Sequence, residues 1–128
     1  MKLYFYYGVM SSSKTANALM KKFHFEEHGK KVVLIKPGID TRYGKSIVKS
    51  RVGLESEAIW INKGDNIHEI ISKADSPQII IADEAQFFTE KQIDELREYV
   101  DSGIMVMCYG LKTDYTGHLF EGSKRLIE

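Results

Sequence analysis

The stretch that decides the fold is Gly8-Val9-Met10-Ser11-Ser12-Ser13-Lys14-Thr15. It follows an apolar run at residues 3–7 and precedes a helical pattern, which is the strand-to-helix context of a phosphate-binding P-loop. Backbone N–H groups and the helix N-terminus bind phosphate in such loops. We expect Lys14 to reach the β- and γ-phosphates of a nucleotide and the Thr15 hydroxyl to hold Mg²⁺. Ser13 stands where the motif has glycine, so a serine-rich turn that only caps a helix is the alternative.

A second motif lies where the apolar run Ile79-Ile80-Ile81-Ala82 ends in the paired carboxylates of Asp83 and Glu84. A continuous apolar run is typical of a strand that is buried on both faces of a parallel sheet. In P-loop enzymes the second acid that organises magnesium follows such a strand. We therefore expect Asp83 to hold Mg²⁺ with Thr15, and Glu84 to face the reacting hydroxyl. Two adjacent acids that are simply solvated are the alternative.

Apolar runs and helical patterns alternate along the chain, which predicts an α/β fold. The sheet is expected to be open, parallel and flanked by helices, of the P-loop, RecA-like kind. Strands are predicted at residues 3–7, 32–35, 58–61, 78–83 and 104–109. Residues 40–53 and 112–122 show no sustained period and follow strands. Since ligands bind beyond the carboxyl ends of strands in such sheets, both segments are candidate site loops, with exposed connectors as the alternative.

Three helices are predicted from apolar spacing and capping residues. The first buries one face formed by Ala16, Leu19, Met20 and Phe23. The second has Asp65 as its N-cap and the apolar positions Ile67, Ile70, Ile71 and Ala74. The third begins with a capping box of Thr89 and Gln92 and ends before Gly103.

Length and composition indicate one soluble domain covering residues 1–128. The hydrophobic share is 43% and the charged share is 28%, which is typical of globular proteins. The 18 basic residues equal the 18 acidic residues in number, which argues against a nucleic-acid partner. No apolar run is long enough for a membrane span, and the N-terminus lacks signal-peptide features. Cys108 is the single cysteine, so an internal disulfide is excluded. We expect a cytoplasmic protein without a membrane partner.

The motifs together resemble the type II thymidine kinases, the family of the enterobacterial and cytosolic vertebrate enzymes. The most specific segments are Asp83-Glu84-Ala85-Gln86-Phe87-Phe88 and Tyr109-Gly110-Leu111-Lys112-Thr113-Asp114-Tyr115. Further matches are Tyr4-Phe5-Tyr6-Tyr7, Lys14-Thr15, Asp40-Thr41-Arg42-Tyr43-Gly44, Ser50-Arg51-Val52-Gly53-Leu54, Gly117, Leu119-Phe120 and Gly122-Ser123. The resemblance therefore extends over almost the whole chain.

The resemblance implies transfer of the γ-phosphate of ATP to the 5′-hydroxyl of thymidine, giving dTMP in nucleotide salvage, with deoxyuridine as a further acceptor. It implies that Glu84 is the general base and that Arg42 contacts the transferred phosphate, with Asp40 ordering that loop or the metal shell. ATP is expected to contact Gly8, Val9, Met10, Ser11, Ser12, Ser13, Lys14, Thr15, Asp83 and Gln86. The thymine pocket is expected to contain Met10, Phe87, Leu111, Tyr115 and Phe120. A catalytically weakened nucleotide-binding module of the same fold is the alternative.

The family also has a C-terminal segment with a structural zinc and a lasso-like loop that closes over the nucleoside. Residues 1–128 contain neither the zinc ligands nor that loop, so zinc is expected only if such a segment exists. A fragment and a shortened relative both remain open. The resemblance implies a homotetramer. Three other residues have simpler expectations: Phe88 packs in the core, and His24 and His28 form a surface pair.

Overall fold

The structure is a computed structural model that describes residues 2–8, 14–38, 47–73, 76–111 and 120–128. Its strands are β1 (Leu3–Gly8), β2 (Val32–Pro37), β3 (Ile47–Lys49), β4 (Glu55–Glu57), β5 (Ile59–Ile61), β6 (Ile79–Ala82) and β7 (Met105–Leu111). Its helices are α1 (Lys14–Glu27), α2 (Ile67–Ile71), α3 (Glu90–Asp101) and α4 (Glu121–Ile127), with a 3₁₀ turn at Ala85–Phe87.

Five strands form one sheet in the order β1-β7-β6-β2-β5, and every neighbouring pair is parallel. The predicted α/β class is therefore confirmed. All four residues of β6 are buried, as its continuous apolar run predicts. Ala82 lies opposite Cys108 of β7 on one side and Ile35 of β2 on the other. Asp83, the residue after β6, therefore lies at the edge of the sheet where the carboxyl ends of β2, β6 and β7 meet. We call this edge the carboxyl edge.

Successive residues of the central strands point to opposite faces of the sheet and build two cores. Ile80 and Ala82 of β6 pack in the core that α2, α3 and α4 cover. Cys108 is buried there, and so is Phe88, as the sequence predicts. The remaining two β6 residues pack in the core that α1 and β3 cover. Asp83 continues this alternation, and its side chain therefore lies on the α1 face.

The third predicted helix is confirmed at both ends. The Thr89 side chain accepts a hydrogen bond from the Gln92 N–H, and the Gln92 side chain accepts one from the Thr89 N–H. This reciprocal capping box satisfies two of the backbone donors that a helix leaves unpaired at its start. Gly103 follows the helix with a φ of 95°, a left-handed conformation that favours glycine.

Two details of the predicted helices are wrong. Met20 is 51% exposed, whereas Ala18 is fully buried, so the buried face of α1 is rotated away from Met20. Small residues let this face approach the sheet closely, and the spacing of large apolar residues did not reveal that. Asn66 is the N-cap of α2, because its side chain accepts from the Glu69 N–H. Asp65 instead accepts from the Asn62 N–H and closes the preceding turn.

The two candidate site loops, residues 40–53 and 112–122, contain regular structure in the part that is described. Within residues 40–53, β3 pairs with β4 in an antiparallel ladder, and Val48 is buried against α1. Three residues are too few to show a period in the sequence. Residues 112–119 lie outside the described part, and α4 follows them. No described helix is long and apolar enough to cross a membrane.

Gly122→Ala should destabilise the fold, because α4 packs against the 3₁₀ turn through this glycine. A Cβ at Gly122 would collide with the Ala85 carbonyl oxygen and lie 2.9 Å from that of Phe88. Backbone atoms cannot move aside cheaply, so we expect a loss of about 1–3 kcal/mol in the free energy of unfolding. Chemical denaturation measures this loss. Gly64→Ala is the control, because a Cβ there meets nothing within 4 Å; equal stability of the two variants would contradict the packing described.

Candidate functional site

The two sequence motifs meet at the carboxyl edge through Thr15 and Asp83. Thr15, the second residue of α1, has its Oγ1 3.1 Å from Oδ2 and 3.3 Å from Oδ1 of Asp83. The Asp83 backbone N–H donates to the Ile35 carbonyl at 3.0 Å, which fixes the start of the turn after β6. The hydroxyl and the carboxylate therefore form one oxygen-rich group, although 68 residues separate them in the chain.

A third group, Lys36, joins this pair and was missed in the sequence analysis. Its Nζ lies 3.7 Å from Oδ2 of Asp83, and both side chains are 3% exposed. Lys36 follows the apolar part of β2 and precedes Pro37-Gly38. A charged residue at the carboxyl end of an apolar strand was the available signal, because the sheet brings such ends together.

Burial dominates the electrostatics of Asp83. It raises the pKa of this carboxyl to about 6, and the negative charge of Glu84 adds to the increase. The Lys36 ammonium and the Thr15 hydrogen bond act in the opposite direction. At Asp83 the effect of burial therefore outweighs that of the groups that stabilise the charged carboxylate.

Lys14 is the first residue of α1 and shares the electrostatic environment of both acids. Partial burial lowers the pKa of its ammonium group, while the carboxylates of Glu84 and Asp83 oppose that shift. The structure thus brings a cation and both predicted acids to the start of one helix. Gly8 ends β1 nearby in the sheet, where it is paired in register with Leu111.

Glu84 is held in an unusual conformation by its neighbours. Its φ of 54° and ψ of 39° are left-handed, and it is the one described residue other than glycine with a positive φ. Its Oε2 accepts a hydrogen bond of 2.6 Å from Nε2 of Gln86. Backbone strain of this kind persists only where the surroundings fix it, and such residues concentrate at functional sites.

Three residues predicted for the nucleoside pocket are described, and two of them touch. The rings of Phe87 and Phe120 meet edge to face, with centroids 5.3 Å apart and planes at 77°. Phe87 is 38% exposed, in contrast to the buried Phe88 beside it. Leu111 ends β7, and its backbone N–H donates to Oε1 of Gln86 at 3.0 Å. The exposed ring of Phe87, on the turn that follows Glu84, is therefore packed against the partly buried ring of Phe120 at the start of α4.

The other predicted site residues lie outside the described residues, and their roles stay predictions. They are Val9, Met10, Ser11, Ser12 and Ser13 of the loop, Asp40 and Arg42 of the following segment, and Tyr115. His24 and His28 are exposed, with ring centroids 4.5 Å apart. The described residues hold no cluster of three His, Cys, Asp or Glu side chains.

The oxygen donors at the carboxyl edge fit Mg²⁺. Magnesium prefers hard oxygen ligands and takes one or two from the protein, with phosphate oxygens and water completing its shell. The Thr15 hydroxyl and the Asp83 carboxylate supply two such ligands within 3.1 Å of each other.

Comparison with known proteins supports the family resemblance that the sequence motifs indicate, and it does so along the whole chain. The family model described as "Thymidine kinase" matches residues 1–128. Thymidine kinases of Zymomonas mobilis, Rhodopirellula baltica and Aliivibrio fischeri are 43%, 38% and 40% identical to 98% of this chain. The chain spans 67%, 62% and 68% of the lengths of these three relatives. The chain therefore belongs to the thymidine kinase family.

Proposed function

We propose that this chain carries the ATP-binding and catalytic part of a thymidine kinase. The observation that supports this most is the contact of Thr15 with Asp83, which unites the two motifs of the resemblance at one edge of the sheet. Lys14 and Glu84 accompany them. The relatives that align with nearly the whole chain carry the name thymidine kinase. A helix N-terminus, a cation and two acids are the groups that phosphoryl transfer needs.

In the proposed reaction, Glu84 accepts the proton of the thymidine 5′-hydroxyl as its oxygen attacks the γ-phosphorus of ATP. The bond between that phosphorus and the bridging oxygen breaks, so ADP leaves and dTMP forms. Lys14 binds the β- and γ-phosphates, and Thr15 and Asp83 hold the metal. Mg²⁺, when bound there, would neutralise part of the negative charge of the phosphates. Since the transferred group needs little covalent help, positioning and electrostatic stabilisation account for most of the catalysis.

The aromatic pair provides a surface for the base. Flat apolar rings suit thymine, because stacking and contact with its methyl group exclude water. Phe87 follows Glu84 in the same turn, so a base stacked against Phe87 and Phe120 would lie near the carboxylate. Leu111 is the third described residue of the predicted pocket, and its backbone N–H is fixed by the hydrogen bond to Gln86. Met10, Tyr115 and the phosphate contact of Arg42 belong to the same proposal.

Other properties stay predictions. Length and composition predict the single domain over residues 1–128, the cytoplasmic location and the lack of nucleic-acid or membrane partners. The resemblance implies the homotetramer, the use of deoxyuridine and a structural zinc carried by a further segment. A nucleotide-binding module with weakened catalysis remains the alternative function, because Ser13 replaces the glycine of the motif. A thymidine phosphorylation assay of the full-length gene product distinguishes the two.

Glu84→Gln should lower kcat strongly while ATP still binds. The substitution keeps the shape of the side chain and removes the proton acceptor, and loss of a general base lowers kcat by about 10²–10⁴-fold. Steady-state kinetics with thymidine and calorimetry with ATP measure the two effects. Glu95→Gln is the matched control, since Glu95 is a buried glutamate of α3 whose Oε1 accepts from Ile67. Near-normal turnover of the Glu84 variant would disprove the assignment.

Lys14→Ala should weaken ATP binding, because it removes a cation from a strongly anionic site. A hydrogen bond to a charged group contributes about 1.5–3 kcal/mol, which corresponds to roughly a 10- to 100-fold rise in Kd. Isothermal titration of ATP·Mg²⁺ measures the change. Lys21→Ala, at an exposed position of the same helix, is expected to bind as wild type does. If Lys14→Ala and Lys21→Ala bound ATP·Mg²⁺ with equal affinity, the N-terminus of α1 would not be a phosphate-binding site.

A further inference from the structure

Gln86 is assigned to the nucleotide by resemblance, but its described contacts are to the protein. The side chain is 2% exposed and lies between the turn after β6 and the end of β7. Its Nε2 donates to Glu84 at 2.6 Å, and its Oε1 accepts from the Leu111 N–H at 3.0 Å. Both ends of the amide are therefore engaged by groups on two different elements.

These two bonds determine the orientation of the amide. The backbone N–H of Leu111 can only donate, so the carbonyl oxygen of Gln86 must face it. The amide nitrogen then faces Glu84, whose ionised carboxylate can only accept. Exchanging the two ends would place donor against donor at Leu111. The geometry thus supports a single arrangement in which Gln86 donates to the carboxylate.

Gly110 provides the space for this arrangement. A Cβ on Gly110 would collide with Oε1 of Gln86 and lie 3.1 Å from the Gln86 backbone nitrogen. No side chain larger than that of glycine therefore leaves Gln86 where it is. The next residue, Leu111, is fixed at both its backbone groups, because its carbonyl accepts a hydrogen bond from the Ser123 hydroxyl. A continuous hydrogen-bonded chain therefore runs through Glu84, Gln86, Leu111 and Ser123.

We infer that Gln86 is a positioning residue: it holds the Glu84 carboxylate and links it by hydrogen bonds to Leu111, a predicted residue of the nucleoside pocket. This inference rests on the proposed function, in which Glu84 accepts the proton of the sugar hydroxyl. A free glutamate side chain samples several rotamers, and a reactive group misplaced by about 1 Å can lower the rate by about 10²-fold. Gln86 restricts this sampling before the substrate binds. Its contribution is therefore to kcat rather than to nucleotide affinity.

The test compares Gln86→Leu and Gln86→Met with wild type in the full-length protein. Gln86→Met keeps the length of the side chain and loses the amide donor and acceptor without adding a charge. We expect both variants to lower kcat by about 10²-fold and to leave the Kd of ATP·Mg²⁺ unchanged. Gly110→Ala should have the same kinetic effect, because it displaces the same amide. Thermal unfolding identifies any variant that does not fold, and the conclusion then rests on the variants that do.

Gln92→Leu is the matched control for the loss of a buried amide. Gln92 is as buried as Gln86, and its Nε2 donates to the carbonyls of Asn62 and Asp65. It lies at the start of α3, and its side chain is bound to the segment that follows β5 rather than to Glu84 or Leu111. We expect this variant to lose stability and to keep the kcat of wild type at a temperature at which it is folded. A matching fall in kcat would show that the Gln86 effect is general destabilisation, and would overturn the inference.

A double-mutant cycle separates this inference from the proposed function. If Gln86 acts through Glu84, the kcat losses of Glu84→Gln and Gln86→Leu do not add in the double variant. Additive losses would show that Gln86 does not act through Glu84, and a raised Kd of ATP in Gln86→Leu would show that it acts on the nucleotide; either result overturns the inference. Failure of the proposed function has a different result, since wild type itself would then not phosphorylate thymidine.

Discussion

The buried carboxylate of Asp83 is the constraint on which the site depends. An aspartate with 2% exposure is unfavourable unless other groups compensate its charge, and here the compensating groups come from two other elements. Thr15 of α1 donates to it, and Lys36 of β2 lies 3.7 Å away. Breaking a buried ion pair costs about 3–5 kcal/mol, so these contacts oppose any shift of α1 or β2 relative to β6. The same contacts leave two oxygen donors side by side, and this is the geometry that a metal–nucleotide complex requires.

Sequence patterns predicted the layers of the fold, because burial on both faces of a strand and on one face of a helix leaves a direct trace. The run at β6 and the capping box of α3 are examples. Short elements left no such trace. β3 has three residues and α4 has seven. The position of β3 depends on the packing of Val48 against α1, and that of α4 depends on the packing of Gly122 against the 3₁₀ turn. Tertiary contacts also decided the rotation of α1, which turns Met20 to solvent.

Sequence motifs predicted Lys14, Thr15, Asp83 and Glu84 as site residues, because each motif stands at a strand end where a parallel sheet binds its ligands. They could not reveal which side chains contact one another. Lys36 has no motif of its own, and only the register of β2 with β6 brings it to Asp83. Gln86 belongs to a family motif, yet its pairing with Glu84 and Leu111 depends on the absence of a side chain at Gly110. Contacts of this kind follow from three-dimensional packing, and they distinguish a residue that binds substrate from one that positions another residue.

The central claim is that Thr15 and Asp83 hold the metal of a metal–nucleotide complex, and the metal dependence of ATP affinity tests it most directly. Calorimetry would compare the Kd of ATP with Mg²⁺ present and after its removal by a chelator, in wild type and in Asp83→Asn. Asp94→Asn is the control, because Asp94 of α3 pairs with Arg125 of α4 at 2.8 Å rather than with Thr15 or Lys36. We predict that Mg²⁺ tightens ATP binding in wild type and in the control, and that this dependence is lost in Asp83→Asn. An Asp83→Asn protein with the metal dependence of wild type would contradict the account.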